Sequence, residues 1–443
     1  MSDRKIRHVR APRRRRVPAL ALALLAALLP QLVGVGAAHA DISPYGRSLA
    51  VEGLADPDIY KVDDNLYFMS GTSSQDFLPI YTSTDLLTFS LLQRYDPDAL
   101  DPDHRYCREW APELNKQGSD YVLYFVASRV DKDDPCPSNN SQQTIFYATA
   151  PATTNDMQFG APHAINENTT HPRTYETKDC PDDGCENAMR LDPSVYSDGA
   201  RLWLHYTWFD PAAGTVVSAF PLDAPEQVFE VTRPSRQAEQ KINEAPTLFS
   251  REGRQYLFYS QGNMKSNYGM QYFMGAQVSD LTREQAKHSF SSPLKARDGR
   301  LIENQGHNTV TDRHGQFYTL YHVARFTADG DYAGRDVYVQ PLMFKADGSL
   351  NTLNTVALRW SATAGSTYSL DVQTRDGVWI PSCMSPGSGS SVTFNEVCTG
   401  ADDQVVRKAD VAAFRINRIT DGQTAGATTL AYDGYTDTLD ATV

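Results

Sequence analysis

Asp198-Gly199-Ala200-Arg201-Leu202-Trp203-Leu204-His205-Tyr206 is a polar turn followed by an alternating, aromatic-rich run, and the chain repeats it. Upstream, Asp63-Asp64-Asn65 leads into Leu66-Tyr67-Phe68-Met69-Ser70-Gly71, and Gly118-Ser119-Asp120 into Tyr121-Val122-Leu123-Tyr124-Phe125. Downstream, Glu252-Gly253-Arg254 leads into Gln255-Tyr256-Leu257-Phe258-Tyr259, and His314-Gly315-Gln316 into Phe317-Tyr318-Thr319-Leu320-Tyr321. Asp, Asn and Gly supply turn geometry, and alternating apolar and aromatic residues read as half-buried strands. Five copies, roughly 55–80 residues apart, point to one supersecondary unit repeated with insertions. Further strand-like runs, Gln143–Ala148 and Asp336–Gln340, lie within the units. Five units of about four strands each describe a five-bladed β-propeller. A sandwich or β-helix with look-alike hairpins is the competing architecture. Helical periodicity is almost absent, with Leu281–Lys287 one short candidate, so the fold class is all-β.

After about Leu350 the texture changes. Val356–Trp360, Tyr368–Val372 and Ala412–Ile416 read as short strands, separated by Gly/Ser-rich turns such as Ser385-Pro386-Gly387-Ser388-Gly389-Ser390. This predicts a small β-sandwich-like module over 351–443 after a propeller over 41–350, with the polar stretch Thr420–Val443 partly disordered.

The start of the 443-residue chain reads as a leader. A basic run ending Arg13-Arg14-Arg15-Arg16 precedes an apolar stretch from Val17 to about Val35, then Ala38-His39-Ala40, a small-x-small cleavage pattern. These features predict a signal peptide over 1–40 rather than a membrane anchor, hence secretion by the Sec or twin-arginine route. Residues 1–40 hold eight Lys/Arg and one acidic residue. Without them the 41 basic and 54 acidic residues become 33 and 53, a formal net charge of −20. Such a surface repels nucleic acid and anionic membranes and disfavours polyanionic substrates, so a neutral ligand fits best. The six cysteines favour disulfides in an exported chain. Sequence neighbours suggest Cys107–Cys136, Cys180–Cys185 and Cys383–Cys398, and no Cys-x-x-Cys or Cys/His cluster supports a metal site.

Three acidic motifs recur in order at strand starts: Ala55-Asp56-Pro57-Asp58, Leu191-Asp192-Pro193-Ser194 and Asn243-Glu244-Ala245-Pro246. A propeller gathers the starts of its blades around one axis, so residues far apart in sequence can share a pocket. Pro57 fixes its own φ and biases Asp56 toward extended backbone. A lone Asp-Pro is more often a turn or cap, and the chain has others, such as Asp96-Pro97 and Asp210-Pro211. Order, spacing and the strands that follow carry the signal. Glycosidic hydrolysis needs one carboxylate as base and one carboxylic acid to protonate the leaving oxygen. A third carboxylate can raise the acid's pKa by repulsion.

This constellation, over most of residues 50–345, resembles glycoside hydrolase family 43, a family of five-bladed propellers acting on arabinose-, xylose- or galactose-containing glycans. Trp110-Ala111-Pro112-Glu113, Gly306-His307-Asn308 and Gly334-Arg335 are similar to its elements in blades two and five. The resemblance implies Asp56, rather than Asp58, as general base, Glu244 as general acid and Asp192 as the residue that tunes the acid. It implies inversion, with the two carboxyls about 6.5–9.5 Å apart. Trp110 and Phe77 are candidates either to stack on sugar or to pack within the blade, and Arg335 to contact substrate or pair with a carboxylate. His307 is read as a buried histidine, a substrate contact, or a water-mediated ligand of a structural Ca²⁺ in the propeller channel. Direct imidazole ligation of that hard cation would be unusual. No cofactor is expected to be required. The partner is an oligo- or polysaccharide, and the protein is expected to be a monomer. Thr169–Glu186 looks inserted, as a lid or subsite wall.

Two other readings remain. A retaining fructan hydrolase would need a start of the Trp-Met-Asn-Asp-Pro-Asn type, which the chain lacks. A non-catalytic glycan-binding propeller would have no use for a proton donor. Arabinose-containing substrates are preferred over β-xyloside or galactan.

Overall fold

A computed structural model describes residue 42 and residues 46–138, 143–153, 157–165, 189–210, 214–224, 229–232, 242–282, 287–400 and 402–443. The leader-like residues 1–40, the inserted Thr169–Glu186, and Cys180 and Cys185 lie outside the described residues.

Four sheets are four-stranded meanders in chain order, opening with Ala55–Asp63, His104–Gln117, Arg190–Ser197 and Asn243–Arg251. The fifth sheet has five strands: Leu301–Arg313 leads through Gln316–Phe326 and Tyr332–Pro341 to an outermost strand, Ser48–Val51, taken from the start of the described chain, and the short Leu294–Lys295 pairs with the other side of Leu301–Arg313. The first strand of each sheet contacts the first strand of the next, and the fifth contacts the first, so the sheets form a closed ring of five blades. Buried aromatics such as Phe68, Phe125, Tyr206, Phe258 and Tyr321 fill the spaces between and within the blades.

Each first strand carries the same irregularity. Pairing with the second strand breaks between Ala55 and Asp58, Trp110 and Glu113, Leu191 and Ser194, Glu244 and Thr247, and Gly306 and Thr309. In every case the second residue of the bulge has left-handed backbone: Asp56 (φ 48°), Ala111 (42°), Asp192 (51°), Ala245 (57°) and His307 (48°). The extended backbone expected for Asp56 before Pro57 is therefore corrected. A left-handed non-glycine residue costs about 1–2 kcal/mol and persists only where its surroundings over-determine it.

The over-determination is visible at four of the five bulges. The bulged N–H donates to a polar side chain on the second strand of the preceding blade. Ala111 N donates to Thr72 Oγ1 (2.8 Å), Ala245 N to Thr207 Oγ1 (3.2 Å), His307 N to Ser260 Oγ (2.8 Å) and Asp56 N to His322 Nδ1 (3.3 Å). The blades are also tied at the fourth bulge residue. Asp58 Oδ2 accepts from Leu114 N (2.9 Å) and Oδ1 from Thr309 Oγ1 (3.3 Å), while Glu113 Oε1 accepts from Val195 N. Burial raises both carboxyls, Asp58 to about 6 and Glu113 well above its usual range, with Asp58's charge adding to the latter. Asp58 and Glu113 thus bind blade to blade.

Beyond the ring, a four-stranded sheet (Thr367–Thr374, Trp379–Gly387, Val411–Thr420, Gln423–Ala431) packs with a three-stranded one (Val356–Trp360, Ser391–Phe394, Thr438–Ala441). Both contribute to one core that includes Leu358, Leu370, Val372, Phe394 and Phe414, beside the Cys383–Cys398 disulfide. In place of the disorder expected within Thr420–Val443, Gln423–Ala431 and Thr438–Ala441 are strands. Leu430 and Leu439 pack on that core, and alternate residues stay exposed, so the stretch reads as polar while still pairing. The short helix candidate Leu281–Lys287 falls largely outside the described residues. Just before it, Val278–Asp280 form a 3₁₀ turn, and residues 283–286 are not described. Cys107 and Cys136 form the second described disulfide.

Arg407 joins the sandwich to the ring. Its guanidinium meets Glu396 (3.3 Å) and Glu303 (2.7 Å), and Arg47 meets Glu303 from the other side (2.9 Å). Glu303 lies on the strand that carries His307.

Candidate active site

The bulges turn the starts of the first strands toward one another, and four polar side chains meet there. Asp56, Asp192 and His307 are second bulge residues of blades 1, 3 and 5, and Glu244 is the first bulge residue of blade 4. Arg335, on the third strand of blade 5, reaches the same place.

Asp56 is the most heavily paired. Its Oδ1 lies 2.8 Å from Arg335 NH1, 3.2 Å from His307 Nδ1 and 3.1 Å from His322 Nδ1. Burial alone would raise its pKa, but the Arg335 guanidinium and then His307 overcome burial and hold the carboxyl well below the usual carboxylate range. The two histidines divide. Burial opposes charge on His307, yet Asp56 outweighs it and raises the imidazole. Burial lowers His322 to about 4, so this ring is neutral and can accept the Asp56 N–H through Nδ1.

Glu244 is driven the other way. Burial first, and then the charge of Asp192, push it up to about 7. Asp192 is itself raised, by burial and then by Asp56 against the opposing pull of His307. Asp192 Oδ2 also accepts from Thr207 Oγ1 (2.9 Å) and Ala245 N (3.0 Å), which ties it to the residue after Glu244. The result is one carboxyl pushed down and one pushed up, each within electrostatic reach of the other. Carboxyls pushed apart in this way suit a base and an acid acting together.

Trp110 and Phe77 are the remaining sequence candidates. Trp110, the first bulge residue of blade 2, packs against the core shared by blades 2 and 3, beside Val126, Ile145 and Val195. Phe77 carries the Arg94 guanidinium 5.0 Å from its ring centre, and no described contact links it to the carboxyls. As for a metal, among the described residues no group of three or more His, Cys, Asp or Glu side chains is placed to hold an ion. The mapped partner of His307 is Asp56, and Ca²⁺ prefers oxygen donors, so a directly ligated ion does not fit here.

Two residues at the centre escaped the sequence reading. His322 lies opposite Gly306 in the strand register, the position that holds Thr72, Thr207 and Ser260 in blades 1, 3 and 4. Tyr268 donates from its phenol to Glu244 Oε1 at 2.7 Å. A signal existed for the first. In blades 1, 3, 4 and 5 the aromatic run is followed at once by Thr, Thr, Ser or His, a polar residue in an otherwise apolar strand.

The family model for glycosyl hydrolases family 43 matches residues 50–350. No curated protein matches the chain. Among solved structures, the chain is similar to an α-L-arabinofuranosidase from Lactobacillus brevis, with 20% identity and a TM-score of 0.51, covering 70% of this chain and 96% of that one. It is also similar to a GH43 protein from Bacillus licheniformis, with 11% identity and a TM-score of 0.50, covering 86% and 91%.

Proposed function

This chain belongs to glycosyl hydrolases family 43 and is a glycosidase, and on that premise we propose that it is a secreted, inverting enzyme acting on neutral arabinose- or xylose-containing glycans. The observation that carries the mechanism is the opposite displacement of two carboxyls on one rim: Asp56 down, Glu244 up. Arg335 and His307 both engage Oδ1 of Asp56, while His322 takes the Asp56 backbone N–H, which leaves Oδ2 to take a proton from water. That water attacks the anomeric carbon from one face. Glu244 delivers its proton to the glycosidic oxygen on the other face, and the bond breaks with its electron pair going to that oxygen. Burial, and then Asp192, favour the protonated form of Glu244, and Asp192 also fixes the backbone beside it. The acidic surface favours a neutral polymer, and two disulfides suit an oxidising compartment. No helix among the described residues is long and apolar enough to cross a membrane. Arabinose is the preferred sugar, in keeping with the arabinofuranosidase to which the ring is similar.

The pH dependence follows from the two directions. The base must be ionised and the acid protonated. Activity is therefore expected to hold through the mildly acidic range and to fall as pH rises through about 7, where Glu244 loses its proton. A kcat/KM profile flat to pH 9 would remove Glu244 from the acid role.

The direct test is product analysis of residues 41–443 on arabinan, arabinoxylan, xylo-oligosaccharides and galactan, with Glu244→Gln alongside. The variant is expected to lose unactivated glycans by about 10³-fold, while aryl glycosides with good leaving groups lose much less. Equal loss on both would argue against a proton donor. No release from any polymer, with glycan binding intact in both proteins, would favour a binding propeller. Proton NMR of the first-formed anomer tests inversion.

A further inference from the structure

Blade 5 has no side chain at its first bulge residue, because that residue is Gly306. The space is occupied by Tyr268, from the turn between the second and third strands of blade 4. A Cβ on Gly306 would lie 1.9 Å from Tyr268 Cε1. The Tyr268 ring lies parallel to His322, with an interplanar angle of 7° and centroids 6.0 Å apart, and its hydroxyl donates to Glu244 Oε1. The ring is fully buried. Its turn is braced on several sides. Gly262, at φ +100°, lies so close to Asn267 O that a Cβ there would sit 2.1 Å away. Ser266 N and Asn267 N both donate to Asn263 O, Lys295 Nζ donates to Asn267 Oδ1 (2.7 Å), and Asn304 Nδ2 donates to Met264 O. Gly262 N donates to Ile242 O, two residues before Glu244. A phenol placed with this much support has few ways to move.

We propose that Tyr268 is a positioning residue for Glu244: its O–H engages Oε1, which assigns the transferable proton to Oε2 and fixes the direction in which the acid donates. The proposal rests on the acid role given to Glu244 above. In the step itself, the proton passes from Oε2 to the glycosidic oxygen as the C–O bond breaks. Tyr268 keeps its own proton and continues to donate to the glutamate that remains. The phenol therefore favours the ionised product of transfer over the acid. The other groups acting on Glu244 are Asp192, Asp56 and His307, and those acting on Tyr268 include Ser260 and Asp56.

Tyr268→Phe keeps the ring and removes only the donor. With the wild type, the variant is assayed on an unactivated arabino- or xylo-oligosaccharide and on an aryl glycoside, across pH 4–9. The expected result is a kcat about tenfold lower on the unactivated substrate, with KM within about twofold. The aryl glycoside changes little. The alkaline limb of kcat/KM moves up by about half a pH unit, because a hydrogen bond to the ionised form has been lost. The limb does not depend on what fraction of the variant is folded, so a purely structural defect cannot produce the shift. An unmoved limb with unchanged kcat would overturn the proposal, as would equal losses on both substrates. Glu244→Gln at full activity on the unactivated substrate would overturn the acid role along with it. An inactive Glu244→Gln beside an unaltered Tyr268→Phe would overturn the positioning role alone.

Discussion

Asp56→Asn is expected to lower kcat by about 10³-fold on every substrate, aryl glycosides included, because the lost group acts on the water and not on the leaving group. This separates it from Glu244→Gln, whose defect depends on leaving-group quality. The substitution also removes the carboxylate shared by Arg335 and His307. Arg335 then remains, largely buried, without its carboxylate. Breaking such a pair costs about 3 kcal/mol, softened here because His307 can give up its proton. Steady-state kinetics and urea denaturation check the two effects separately. Asp58→Asn is the internal control. Asp58 hydrogen bonds to Leu114 and Thr309, away from Arg335, so its substitution should leave the rate within a few-fold. If the Asp58 variant were dead and the Asp56 variant active, the base would have been assigned to the wrong residue of the motif.

Gly306→Ala is expected to damage stability and catalysis together. The added methyl falls inside the van der Waals surface of Tyr268, a residue that its braced turn keeps from retreating. Overpacking of this kind costs about 1–3 kcal/mol. Any accommodation that moves the phenol also moves Oε1 of Glu244, so a loss of about 10²-fold in kcat on unactivated glycans should accompany the fall in melting temperature. Adding Tyr268→Ala to Gly306→Ala should return part of the stability, with a coupling of at least about 1 kcal/mol, while activity stays low. Strict additivity in the double variant would mean that the clash is relieved elsewhere.

The strands were legible because each places aromatic residues at alternate positions behind a polar turn, and that pattern needs no tertiary information. Where tertiary information decides, the reading fell short. Asp56 was expected to be extended because of Pro57, yet the His322 ring of the neighbouring blade captures its N–H and supports left-handed backbone instead. The role of His322 depends on register across two blades. Local pattern shows only that a polar residue follows Tyr321. Tyr268 was less accessible still, since its contact with Glu244 depends on the absence of a side chain at Gly306, on a different blade. The strands within Thr420–Val443 look polar because each joins a different sheet of the sandwich and leaves alternate residues to solvent.

The outermost strand of blade 5 comes from the start of the chain: Ser48 pairs with Val339, and Leu49 with Tyr338. Seen in time rather than in space, this delays closure of the ring until its last blade has been made. Residues 48–51 emerge from the ribosome early, but their partner is made only after four blades have been synthesised. Until then both the early segment and the open edge of blade 5 present unpaired N–H and C=O groups, a template for association with other chains. Closure over so long a separation is intrinsically slow. The vulnerable interval in the life of this protein is therefore the wait between translation of its first strand and arrival of its last blade, and the chain has to be kept from sticking to its neighbours during that wait.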